Sequence, residues 1–98
     1  MNVKKENAYK SIGEVAKLLN LVSQKTGKLN THTIRFWEKE FRQIRPRIFS
    51  GKRRYYDNKT IEILKKIKFL LKEKGMTING VKKHLINKNS FDLDELSY

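Results

Sequence analysis

Every arginine of this chain lies between Thr31 and Tyr56, in THTIRFWEKEFRQIRPRIFSGKRRYY, whereas lysines are scattered from end to end. That stretch constrains the fold more than any other. At about 100° per residue, Ile34, Trp37 and Phe41 fall on one side of a helix over 31–41, with Asn30 or Thr31 as its cap. Pro46 then ends any helix; lacking a donor N–H, it belongs at a strand start or edge. Ser50-Gly51 is a turn signal in which glycine is free to take positive φ. The stretch therefore reads as a short helix followed by a basic hairpin over 45–56.

The two elements share a chemistry. His32, Arg35, Phe36 and Lys39 fall on the helix side opposite Trp37. A solvated face normally carries charges and no aromatic, so Phe36 among cationic and polar groups either suits contact with bases, sugars and phosphates or is one exposed Phe on a solvated face. His32 has no metal partner nearby and reads as a polar contact. In the hairpin, Arg45–Phe49 goes out and Lys52–Tyr56 returns. Strand alternation sends Arg53 and Tyr55 to one face, Arg54 and Tyr56 to the other. Each face then holds a cation and an aromatic, which a buried strand could not, so the hairpin projects, with at most one tyrosine packed underneath. Lys52, Arg53, Arg54 and Tyr56 are its candidate contacts, able to reach a minor groove or straddle a backbone. The planar guanidinium suits phosphate and guanine, so helix and hairpin together read as a grip for duplex DNA.

Composition supports a polyanionic partner. The 98 residues make one small domain with a thin core, burying about 60–65% of its extended surface. Net charge is +13, which points to nucleic acid first and an anionic membrane surface second. There is no cysteine. Disulfides, thiolate metal sites and cysteine nucleophiles are excluded, and the count fits a reducing cytoplasm. Two histidines are too few for a histidine-rich metal site. No cofactor is expected. No apolar run approaches the roughly 18 residues of a membrane span, and MNVKKENAYK lacks the apolar core of a secretory signal.

Around the central stretch the chain reads as follows. Residues 1–10 are a flexible N-terminus. Ser11 and Glu14 have the S-x-x-E spacing of a capping box, and Ile12, Val15, Ala16 and Leu19 follow on one helical face. Asn20–Asn30 is a loop. Asp57 or Asn58 caps a third helix running to about Lys74, with Gly75 just past its end. Its inward stripe is Ile63, Leu64, Ile67, Leu70 and Leu71. Lys65, Lys66, Lys68 and Lys72 cover its solvated side, where Phe69 is a candidate partner contact. Thr77 caps a fourth helix with Ile78, Val81 and Leu85 on one face, weakened locally by Asn79-Gly80. Residues 11–86 form the domain; 87–98 are an acidic tail or the start of a further helix.

In this order the chain resembles the N-terminal winged helix-turn-helix domain of the MerR family of bacterial transcription regulators. Ile12-Gly13-Glu14-Val15-Ala16-Lys17 is similar to the family's opening I-G-E-V-A-K. Ile34-Arg35-Phe36-Trp37-Glu38 is similar to its L-R-Y-Y-E or L-R-F-W-E recognition helix. Arg53-Arg54-Tyr55-Tyr56 looks like its wing, and Gly75-Met76-Thr77-Ile78 like the junction before its fourth helix. The matches span about residues 9–86. The resemblance implies a mainly α fold, with Arg35 and Phe36 in the major groove, His32 and Lys39 beside them, and Arg53, Arg54 and Tyr56 gripping backbone or minor groove. It also implies, by analogy, dimers on near-palindromic sites, contact with RNA polymerase and a nucleoid-associated place in the cytoplasm. Two departures stand out. The family's first turn is short, whereas Leu21–Lys28 looks like an insertion. Typical members continue into a long dimerising helix, and this chain stops at Tyr98.

The leading expectation is sequence-specific double-stranded DNA binding by a transcription regulator. The alternative is a non-specific architectural or recombination accessory protein using the same fold. A third class, RNA or membrane binding through the Lys65–Lys72 face, is opposed by the absence of arginine there. An enzyme is not expected: there is no paired-carboxylate signal, no phosphate-cradling Gly loop and no nucleophilic triad.

Overall fold

A computed structural model describes residues 9–86. The chain divides into two compact units, Met1–Lys66 and Ile67–Tyr98.

In the first unit, β1 (Tyr9–Ser11) leads directly into α1 (Ile12–Leu18). The capping box at this junction is complete. Ser11 Oγ accepts from the Glu14 N–H at 3.2 Å, and the Ser11 N–H donates to Glu14 Oε1 at 2.8 Å. That backbone donor lowers the Glu14 pKa. α1 ends in a Schellman closure. Asn20, at φ 57, takes the left-handed position usually given to glycine, and the Leu21 N–H reaches back to the Ala16 carbonyl at 2.8 Å. The loop that follows is ordered around an isolated bridge between Val22 and Leu29.

α2 (Thr31–Glu40) buries Ile34 and Trp37, with Phe41 buried at its C-cap. Asn30 stands at its N-cap, as expected, but makes no side-chain capping bond. β2 (Arg47–Phe49), a 3-10 turn (Ser50–Lys52) and β3 (Arg53–Asp57) form the hairpin. Gly51 at φ 83 supplies the positive φ that the turn demands. The expected N-terminal flexibility does not extend to Tyr9 and Lys10. β1 pairs antiparallel with β3, making the sheet three-stranded in the order β1-β3-β2. Tyr9, Lys10 and Ser11 satisfy the free edge of β3 opposite Asp57, Tyr56 and Tyr55. Val15, Ala16, Leu19, Leu21, Ile34, Trp37, Phe41, Ile44, Tyr56, Ile61 and Leu64 are buried in this unit.

α3 (Asn58–Lys68) is capped by Asp57, whose Oδ1 accepts from the Thr60 N–H at 2.8 Å. Its inward stripe begins at Thr60, Ile61 and Leu64, and Ile63 sits half-exposed at the edge. The sequence pattern missed Ile61, because an apolar residue in the first turn lies ahead of the repeat that defines the stripe. In the second unit the helix widens to a π segment (Phe69–Glu73). The Lys74 N–H bonds to the Phe69 carbonyl and the Met76 N–H to Leu70, with Gly75 at φ 68 between them. Ile67, Leu70, Val81 and Leu85 are buried there. Thr77 caps α4 (78–86) through a 3.0 Å bond from the Gly80 N–H. Phe69 is 49% exposed, and the Lys74 ammonium lies 5.8 Å from its ring centre. The acidic tail at 87–98 lies outside the described residues.

Candidate nucleic-acid interface

α2 is amphipathic in the sense its sequence demands. Ile34 and Trp37 turn inward, which leaves His32, Arg35, Phe36 and Lys39 exposed on the other face. Phe36 keeps 49% of its surface in solvent, and none of the four is taken into the core. Trp37, the only tryptophan, is 3% exposed, so the back of this helix is anchored while its front stays free.

The hairpin splits its candidates by strand alternation. Arg53 and Lys52 are exposed, and Tyr55 lies on the same face as Arg53. Across from them, Arg47 and Phe49 sit opposite Tyr55 and Arg53 in the ladder. The Phe49 and Tyr55 rings lie 5.0 Å apart, Tyr9 meets Phe49 edge-on at 5.7 Å, and the Arg47 guanidinium is 5.8 Å from the Tyr9 ring centre. These cross-strand aromatic and cation–π pairs stiffen the stem.

The opposite face behaves differently, and here one sequence assignment needs correction. Tyr56 is fully buried, so it has no surface to offer DNA. Its hydroxyl donates to Glu38 Oε1 at 3.2 Å. Burial first, and the Glu38 carboxylate second, push its pKa up. Arg54 is half-buried, and its Nε donates to both oxygens of Glu38 at 3.1 and 3.3 Å. The cause is alternation itself: the strand can project only one of its two faces, and the other closes on α2. The single tyrosine expected underneath is Tyr56.

One concavity of about 400 Å³ joins the two elements, lined by Ser11, Ile12, Gly13, Thr31, Arg35, Lys52, Arg53, Arg54 and Tyr55. Arg35 from the helix and Lys52 and Arg53 from the hairpin thus converge on one cleft, with the hydroxyl-bearing Ser11, Thr31 and Tyr55 among its walls. Such a set donates hydrogen bonds and offers no carboxylate in its lining, which fits a phosphate backbone. His32, Phe36 and Lys39 lie outside this lining on the exposed helix face. Sequence reasoning missed Ser11, Thr31 and Tyr55 as cleft residues, and missed Glu38 as the group linking hairpin to helix. A carboxylate set among arginines in the central stretch was the available signal for Glu38. Among the described residues no cluster of His, Asp or Glu could hold a metal ion, and no helix is long and apolar enough to cross a membrane.

A helix-turn-helix pair beside a short antiparallel sheet, with cations on the second helix and on the hairpin, defines a winged helix-turn-helix DNA-binding module. The family of MerR HTH regulatory proteins matches residues 10–88, most of the chain. The protein belongs to that family and is a DNA-binding transcription regulator. No significant match was found among curated proteins.

Proposed function

We propose that the protein binds duplex DNA sequence-specifically, with α2 in the major groove and the wing on the flanking backbone or minor groove. Residues 11–86 act as the binding module. Arg35 and Phe36 meet base edges and sugars, His32 and Lys39 flank them, and Lys52 and Arg53 hold phosphates. Arg54 keeps the wing in place. The observation that carries this reading is the convergence of Arg35, Lys52 and Arg53 on one cleft. Two copies on a near-palindromic site, contact with RNA polymerase and a nucleoid-associated place in the cytoplasm belong to the reading by family likeness.

Enrichment of bound sequences from a random duplex pool, followed by competition against random duplex, tests it. A shared motif and a preference of about 10³ or more are expected. A pool without a motif and equal affinity for random duplex would instead make the protein a non-specific architectural binder. An inverted repeat in the motif reports the dimer.

A further inference from the structure

The loop between α1 and α2 is built as a closed projection. The Asn30 N–H bonds to the Leu21 carbonyl at 2.8 Å, and the Ser23 N–H to the Lys28 carbonyl at 2.8 Å. The Gly27 N–H bonds to the Ser23 carbonyl at 2.8 Å, with Gly27 at φ 72. Ser23 Oγ and Thr26 Oγ1 accept from the Thr26 and Lys28 N–H groups. Core packing does not account for this order. Leu21 is buried at the base, but Val22 and Leu29, which pair across the stem, each stay 43% exposed. The segment from Leu21 to Asn30 contains no carboxylate. Lys25 and Lys28 are exposed, and neither has a carboxylate partner among the described residues.

We propose that this projection is a second backbone contact, in which Lys25 and Lys28 meet DNA phosphates that the wing does not reach. The proposal rests on α2 being the helix that enters the major groove. A recognition helix reads bases with its N-terminal residues, so the residues just before Thr31 are carried to the mouth of the groove. The Asn30–Leu21 bond ties the whole excursion to that point. The turn closes at the Ser23–Lys28 bond, so each arm is three residues long, which at 3.3 Å per residue spans roughly 10 Å. The major groove is about 12 Å wide, so a tip at that distance meets the sugar–phosphate rim. The hydrogen-bonded turn holds both lysines ready, so little ordering entropy is lost on contact.

The test is the salt dependence of binding to a random-sequence DNA duplex by wild type, by Lys25→Gln/Lys28→Gln and by Arg53→Gln, with thermal unfolding of each as a folding control. Two phosphate contacts contribute a slope of about 1.8 in log K against log salt. The double variant is expected to lose that much slope, so that raising salt from 50 to 200 mM weakens it roughly tenfold less than wild type. An unchanged slope in the double variant, with Arg53→Gln still reducing it, overturns the proposal and leaves the wing–helix interface standing. If Arg53→Gln also leaves the slope unchanged, the interface itself is wrong and the proposal falls with it.

Discussion

Arg54 and Glu38 form the bond that fixes the wing against α2: Nε faces both carboxylate oxygens at 3.1 and 3.3 Å. Their side chains keep 28% and 21% of their surface, between the exposed pairs that contribute almost nothing and the buried pairs whose disruption is severe. Arg53, one residue earlier, is exposed on the other face of the strand. Two adjacent arginines therefore stand in different surroundings, one ion-paired and one exposed.

Arg54→Ala is expected to lower stability by about 1–2 kcal/mol, since it strands a part-buried carboxylate, with little direct effect on the salt slope of DNA binding. Arg53→Ala is expected to leave stability within about 0.5 kcal/mol and to reduce the slope by about 0.9. Urea unfolding and salt titration of both variants check the contrast; equal behaviour in the two assays would mean that strand alternation does not separate them.

Arg35→Ala is expected to weaken binding to the preferred site by roughly 1–3 kcal/mol and to relax one base position. Affinity for random duplex should fall less. Because Arg35 is exposed, the melting temperature should hold. Binding to single-base variants of the enriched site measures this, and equal losses on specific and random duplex would remove Arg35 from base reading.

Tyr56 is an internal strut, so its variants should be read as stability changes. Tyr56→Phe keeps the ring and loses the 3.2 Å bond to Glu38, at a cost of about 1 kcal/mol. Tyr56→Ala removes a fully buried ring and should cost about 3–5 kcal/mol. A denaturant midpoint shift without a slope change is the signature. A Tyr56→Phe protein that binds DNA normally while unfolding earlier would match the buried position.

Much of this was legible in the sequence. Ser11 and Glu14 announced a capping box that both bonds confirm. The apolar spacing of Ile34, Trp37 and Phe41 told the buried side of α2 from its exposed side, because a helix carries its own period. The wing was legible as a hairpin through Pro46 and Gly51, but which strand face would close on the core was not. That choice depends on Glu38, a residue of another element, and the alternation of the strand itself does not report it. β1 escaped for a similar reason: Tyr9 and Lys10 look polar and unpatterned, and they are held by ladder bonds to β3 that arise only once the hairpin exists.

Acid should expose the capping bond of α3. The Thr60 backbone N–H holds the Asp57 carboxyl below its ordinary value of 3.8. A folded value that is depressed gives stability that is complete above 3.8 and fades as pH falls through the lower folded value. Asp57→Ala is therefore expected to cost about 1 kcal/mol near neutrality. The gap from wild type should narrow at the acid end, as seen by urea unfolding at both pH values. A constant gap would mean that the cap's charge contributes nothing.

Lys52 occupies the wing tip at φ 59, a left-handed posture that disfavours any side chain by about 1–2 kcal/mol. Glycine would relax there without strain, yet it would also delete one of the cations lining the cleft. Stability and cleft charge are thus set against each other at a single position, and a variant bred only for heat tolerance would be drawn to discard one of the cleft's cations.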